Sequence, residues 1–201
     1  MSWSLGETAA LALKAARGAG LSWGLAEEAA GAVFWLHQRG LPGIAALCSY
    51  LETCGKSAVA DSAACPLVLG SALSDGTHLV PDAVDEQLDL GPVTAPLLLL
   101  PFVATIAPST VWLTTPRLTI PGYGDSAHDD WHSGWLRGMA PCRLHRGRAP
   151  QIDPGRADQT RLPDQFSCCI ERLTSYAYRT YAPATSQSRL AGAGAGLTDN
   201  D

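Results

Sequence analysis

The sequence predicts an α+β fold: an N-terminal three-helix segment, a small mixed or antiparallel sheet, and a C-terminal helix leading into an ordered tail. Three observations predict it. Apolar residues recur at helical spacing through roughly the first fifty positions, residues 111–120 are rich in strand-favouring residues, and residues 164–181 return to a one-sided helical face.

The first helix is announced by Ser4-Leu-Gly-Glu7, which has the form of a capping box in which hydroxyl and carboxylate satisfy each other's orphan amides. Leu5, Ala9, Ala12, Leu13 and Ala16 follow it as an apolar face, and Gly18 and Gly20 stop the helix. Ser22 caps a second helix with Glu27 and Glu28 in its early turns and Leu25, Ala29, Ala32, Val33 and Leu36 on its face. Gly40 ends this helix, and Pro42 pre-sets the first turn of a third, which carries Ile44, Leu47 and Leu51. Small faces of this kind let helices approach closely, and Trp3, Trp23, Phe34 and Trp35 are expected to supply bulk in the packing or to line a ligand groove.

Beyond residue 54 the texture becomes small and polar. Residues 66–73 form a short apolar run before the turn signal Ser74-Asp75-Gly76, with residues 77–80 able to complete a hairpin. An acidic loop or short helical turn follows at 82–89. Residues 95–107 are apolar enough to be buried outright, but Pro96 and Pro101 argue against a central strand, leaving a buried helical turn or an edge strand. Leu118 and Ile120 alternate with Arg117 and Thr119. Residues 121–163 read as an irregular loop studded with Arg137, Arg143, Arg146, Arg148, Arg156 and Arg161. Asp164 then caps a helix with the face Phe166, Ile170, Leu173, Ala177 and Tyr181, and Pro183 ends it. The chain divides as one domain over 1–201, with a helical segment at 1–54, a β-rich segment at 66–120, the Arg-rich loop at 121–163, and helix plus tail at 164–201.

Composition narrows the functional classes. A 46% hydrophobic fraction builds a core, and the net charge of −5 disfavours nucleic acid and anionic lipid as partners. The charge is uneven: ten of the fourteen basic residues, all Arg, lie between Arg117 and Arg189. The longest apolar run is too short to span a bilayer, and no basic n-region with an apolar h-region opens the sequence. Six cysteines (Cys48, Cys54, Cys65, Cys142, Cys168, Cys169) show neither CxxC nor disulfide-framework spacing, so a cytoplasmic setting with most thiols as small core residues is expected.

Recognisable catalytic motifs are absent. His128-Asp-Asp-Trp-His132 would place two imidazoles on one helical face, yet it lacks the Glu of HExxH and an obvious third ligand, so no metal is expected beyond these two candidates. Cys168-Cys169 has no His or other activating base near it in sequence. Gly192-Ala-Gly-Ala-Gly196 is not GxGxxG, and neither a nucleotide nor any other cofactor is expected.

The tail, Tyr181 to Asp201, is the most composed stretch. Gly192, Gly194 and Gly196 permit close backbone approach and an anion-binding nest of amides. Thr185, Ser188 and Arg189 add donors; Asp199 and Asp201 add hard-oxygen anions suited to an Arg pocket or a cation. A frayed end is the competing reading. The opening Ser2-Trp-Ser-Leu-Gly-Glu-Thr, with Lys14-Ala-Ala-Arg-Gly-Ala-Gly-Leu-Ser-Trp-Gly after it, and the closing Ala-Pro-Ala-Thr-Ser-Gln-Ser-Arg-Leu-Ala-Gly-Ala-Gly-Ala-Gly-Leu-Thr-Asp-Asn-Asp resemble an uncharacterised bacterial family of short single-domain proteins known only as a domain of unknown function. Members typically end in the same Gly-Ala-Gly-Ala-Gly and Asp-Asn-Asp pattern, so the resemblance implies that the tail is a family feature. Where members commonly carry an acid after Ala-Thr, this chain has Ser186-Gln187. The expectation is a binding or accessory protein that docks a protein partner or ligand through this tail. The alternative is an enzyme or sensor of a small anionic metabolite, with Tyr181, Thr185, Ser188 and Arg189 meeting the glycine amides.

Overall fold

The computed structural model describes residues 3–54, 64–78, 80–106, 111–115, 118–121, 138–147 and 166–181. Their architecture is α+β. Six helices, α1 (Leu5–Gly18), α2 (Trp23–Gln38), α3 (Gly43–Cys54), α4 (Pro66–Ser74), α5 (Leu100–Ile106) and α6 (Ser167–Ala177), accompany four strands, β1 (Gln87–Thr94), β2 (Val111–Thr115), β3 (Leu118–Pro121) and β4 (Met139–Arg146).

The N-terminal helices form where the sequence signals them. Glu7 N–H donates to Ser4 Oγ at 3.2 Å, and Ser4 N–H donates to the Glu7 carboxylate at 2.8 Å, completing the capping box. Helices α1 and α2 both stop in a left-handed glycine, Gly20 at φ 99° and Gly40 at φ 74°. Each is followed by a leucine whose N–H reaches back five residues, Leu21 to Ala16 O and Leu41 to Leu36 O. This arrangement satisfies carbonyls that the helix would leave orphaned, and it buries both leucines. The buried face of α1 is Leu5, Thr8, Leu11, Ala12, Ala15 and Ala16, rotated slightly from the expected one. Two of the expected bulky core residues are corrected: Trp23 is 62% exposed and Phe34 39% exposed. Their helix packs through alanines, and the Arg17 guanidinium covers the Trp23 ring at 4.7 Å.

Residues 66–74 are helical, so the expected hairpin about Ser74-Asp75-Gly76 is instead a helix end. Pro66 sits in the first turn, and the element is apolar nearly all round because it is buried nearly all round, which leaves no period to read. Gly70 lies against the Phe102 ring of α5, where an added Cβ would come within 2.3 Å. Residues 95–106 resolve toward the helical alternative: Ala95 adopts left-handed φ 46°, a short 3-10 turn spans Pro96–Leu99, and α5 follows.

The sheet has the order β1-β4-β2-β3, and every neighbouring pair is antiparallel. Strand β4 therefore runs through its middle, although its residues lie within the stretch expected to be an irregular loop. Pro141 is tolerated because β2 pairs only with residues 143–146 of β4. On the other side Pro141 faces Pro92 of β1. Val93, Val111, Leu113, Cys142 and Leu144 supply the sheet's share of the core, and burial pushes the Cys142 thiol up to about 12. Arg143 and Arg146 are accordingly strand residues: Arg143 pairs with Asp89 at 3.6 Å, and Arg146 Nε donates to Pro81 O.

Helix α6 closes the helical layer against α1 and α3. Gly18 meets the Tyr176 carbonyl so closely that a Cβ there would lie 1.9 Å from the oxygen. The Tyr176 hydroxyl donates to Leu51 O at 3.3 Å. Of the expected face, Phe166, Leu173 and Ala177 are buried and Ile170 is half-buried, whereas Tyr181, beyond the end of the helix, is exposed. Asp164, the expected cap, lies outside the described residues.

Candidate functional site

Two helices of matching spacing build a groove. Helix α1 presents Glu7, Ala10, Leu11 and Lys14, and α6 with its terminal 3-10 turn (Tyr178–Thr180) presents Thr174, Ala177, Tyr178 and Tyr181. Both sets sit at i, i+3, i+4 and i+7, one face of a helix. Gly18 against Tyr176 and Lys14 against Tyr181 show that the two helices run in opposite senses. Trp3 completes the lining of a groove of about 340 Å³.

Its chemistry is divided along its length. Leu11 and Ala177 are buried and form an apolar floor. Lys14 Nζ donates to the Tyr181 hydroxyl at 3.3 Å and lies 5.8 Å from the centre of that ring. Tyr178 and Tyr181 stand 5.9 Å apart at 55°, and both are exposed. The Glu7 carboxylate is committed to Ser4, accepting from its N–H and its hydroxyl at 2.8 Å each. Lys14 is thus the cation that the described lining offers to an anionic group. An aromatic rim, an apolar floor and one ammonium suit a small organic body with a carboxylate.

Of the residues singled out from the sequence, Tyr181 and Trp3 line this groove. Thr185, Ser188, Arg189, Gly192, Gly194, Gly196, Asp199 and Asp201 lie outside the described residues, as do His128 and His132. Among the described residues no group of three or more His, Cys, Asp or Glu could hold a metal ion, and no helix is long and apolar enough to cross a membrane.

Sequence reasoning missed the α1 half of the groove. In the sequence Glu7 reads as a capping residue and Lys14 has no evident role, yet their spacing with Ala10 and Leu11 makes a second stripe beside the buried one.

A second concavity of about 270 Å³ lies on the sheet, lined by Thr114, Thr115, Pro141 and Arg143. Beside it Trp112 and His145 stack at 5.5 Å and 6°, and Thr114 Oγ1 is 2.6 Å from His145 Nε2. Burial, and then the Arg143 charge, hold the His145 imidazole below its usual value, which favours the neutral ring. These contacts tie β2 to β4 from side chain to side chain.

No curated protein and no solved structure matches the chain. Residues 3–77 match a family model described as "Protein of unknown function (DUF3726)". The α1 wall of the groove, from Trp3 to Lys14, therefore falls within a stretch similar to a family of unknown function, as the N-terminal resemblance implied.

Proposed function

We propose that this is a cytoplasmic, non-enzymatic binding or accessory protein that uses its C-terminal tail to dock a partner or ligand, with the α1–α6 groove as the receiving surface at the tail's root. The observation that carries the reading is the position of Tyr181. The residue from which the tail continues is fastened to Lys14 at the rim of an apolar groove. The occupant that fits is an extended segment bearing a carboxylate, its apolar part over Leu11 and Ala177 and its charge at Lys14. Asp199 and Asp201 give the chain's own tail that chemistry.

Truncation after Leu190 is the experiment. Loss of a co-purifying partner, a change of oligomeric state, or a fall in melting temperature is expected, and no change in all three refutes the reading. A synthetic peptide of residues 182–201 added to the truncated protein should raise its melting temperature, and Lys14→Glu should abolish the rise.

Lys14 in a groove of this volume also favours a second reading, a sensor or enzyme for a small anionic metabolite. Thermal-shift screening of carboxylates, phosphates and amino acids separates the two. A single compound that stabilises wild type but not Lys14→Ala supports the second.

A further inference from the structure

Away from the groove, α2 turns an aromatic face to solvent. Trp23 and Phe34 stand about three turns apart on one side of the helix, and both are exposed. Trp35 is half-buried beneath Arg39, whose guanidinium carbon lies 3.8 Å from the ring centre and whose Nη1 donates to Trp35 O at 3.2 Å. Glu27 and Glu28 are exposed between these aromatics. Gly31 occupies the middle of the same face, where an added Cβ would meet nothing within 4 Å. A glycine inside a helix costs up to about 1 kcal/mol against alanine, and no described neighbour requires this one.

We propose that this face binds the same face of a second copy of the chain, two α2 helices packing antiparallel about a two-fold axis at Gly31. The face carries its own complement of charge. Such an axis sets each residue before Gly31 level with the residue equally far after it on the other copy. Glu27 and Glu28 then lie level with Trp35 and Phe34 of the second copy, and Gly24 with its Gln38. Glu28, Trp35 and Arg39 sit at i, i+7 and i+11, along one side of the face, and the two-fold brings that side against itself. The Arg39 guanidinium, held over Trp35, therefore comes within reach of the Glu28 carboxylate of the second copy, and the pair forms twice.

Trp23 and Phe34 bury apolar area along the other side, and Gly31 lets the backbones approach at the axis. A nucleic acid or an anionic membrane would meet two carboxylates at the centre of the face and a chain of net charge −5, so neither fits. One helix face is a small interface, and a dissociation constant on the order of 10 µM is the expected scale.

Sedimentation equilibrium of the full chain, from about 1 to 200 µM to bracket that constant, is the test. The wild-type mass should rise from one chain to two, a result that needs no variant to fold. Gly31→Lys places two like charges at the axis and should weaken association at least tenfold. Its melting temperature at the lowest concentration should not fall, because the site is open and lysine is the better helix former. Glu28→Arg and Arg39→Glu should each weaken association at least tenfold, since each variant faces its own charge across the axis. An equimolar mixture of those two should associate like wild type, because every arginine then meets a glutamate. A wild-type chain that stays monomeric throughout, a dimer indifferent to Gly31→Lys, or a mixture no tighter than its components overturns the proposal.

Discussion

His37 Nε2 accepts the backbone N–H of Ile44 at 2.9 Å, and this bond joins the last turn of α2 to the first turn of α3. Helix α3 has no Ser, Thr, Asp or Asn before it, so the imidazole supplies the acceptor that a capping side chain normally gives. The role requires the neutral ring with its proton on Nδ1. Burial depresses the His37 pKa from 6.5 to about 4, and the Phe166 ring packs edge-on at 5.5 Å.

A depressed histidine predicts acid weakening. Above pH 6.5 the ring is neutral in both folded and unfolded chains and contributes no pH dependence. As pH falls below 6.5 the unfolded chain takes up a proton that the folded chain refuses, until the folded ring also protonates near pH 4. Between pH 7.5 and 5 this costs about 2 kcal/mol of unfolding free energy. Urea midpoints at those two pH values measure it. In His37→Gln, which cannot titrate, the pH difference should shrink by most of that amount; an equal difference in both proteins refutes the assignment.

Gly18→Ala sets two principles against each other. On helix propensity alone, alanine would stabilise the end of α1 by up to about 1 kcal/mol. Here the new Cβ would lie 1.9 Å from Tyr176 O, a backbone atom that can yield only if α6 shifts. The expected result is a net loss of about 3 kcal/mol in urea unfolding. Because the same contact sets the α1–α6 separation, the variant should also lose any ligand-induced stabilisation at the groove. A neutral or stabilised variant would mean that α1 and α6 are not in contact there.

The N-terminal half was legible because its signals are local. Ser4, Glu7, Ser22, Gly20 and Gly40 each act within six residues, and the structure uses each as the spacing implied. Failures began where burial erased periodicity. Helix α4 is apolar nearly all round, and β4 holds Pro141 and two arginines whose roles depend on partners some 29 to 65 residues away in sequence, at β2, β1 and Pro81. The groove was half legible for the same reason: Tyr181 stood out beside the tail, while its partner Lys14 lies 167 positions away.

The capping box carries a prediction of its own. Ser4→Ala removes the acceptor of the Glu7 amide and one donor to the Glu7 carboxylate, so α1 should lose about 1 kcal/mol. Glu7 also lines the groove, and its carboxylate keeps the bond from the residue 4 backbone N–H in the variant, so an anionic ligand at Lys14 should be little affected. Urea unfolding reads the first effect, and the thermal shift produced by the 182–201 peptide reads the second. An unchanged urea midpoint would show that the box contributes nothing to stability.

Thr94 ends β1 with its backbone amide donating to Ala64 O at 3.0 Å, while its side-chain hydroxyl is buried and has no hydrogen-bond partner among the described residues. A buried hydroxyl without a partner has lost its water and gained nothing in exchange, at a cost of about 1–3 kcal/mol. Thr94→Val replaces that hydroxyl by a methyl of the same shape and keeps the β-branched side chain that suits a strand. The expected outcome is stabilisation of about 1 kcal/mol. Thr94→Ser, which keeps the hydroxyl and removes the methyl, should destabilise by a similar amount through the small cavity it leaves. Urea midpoints of the three proteins at pH 7.5, where His37 is silent, decide the matter. The order Val above Thr above Ser is required, and a valine variant less stable than wild type would mean that the hydroxyl is satisfied after all.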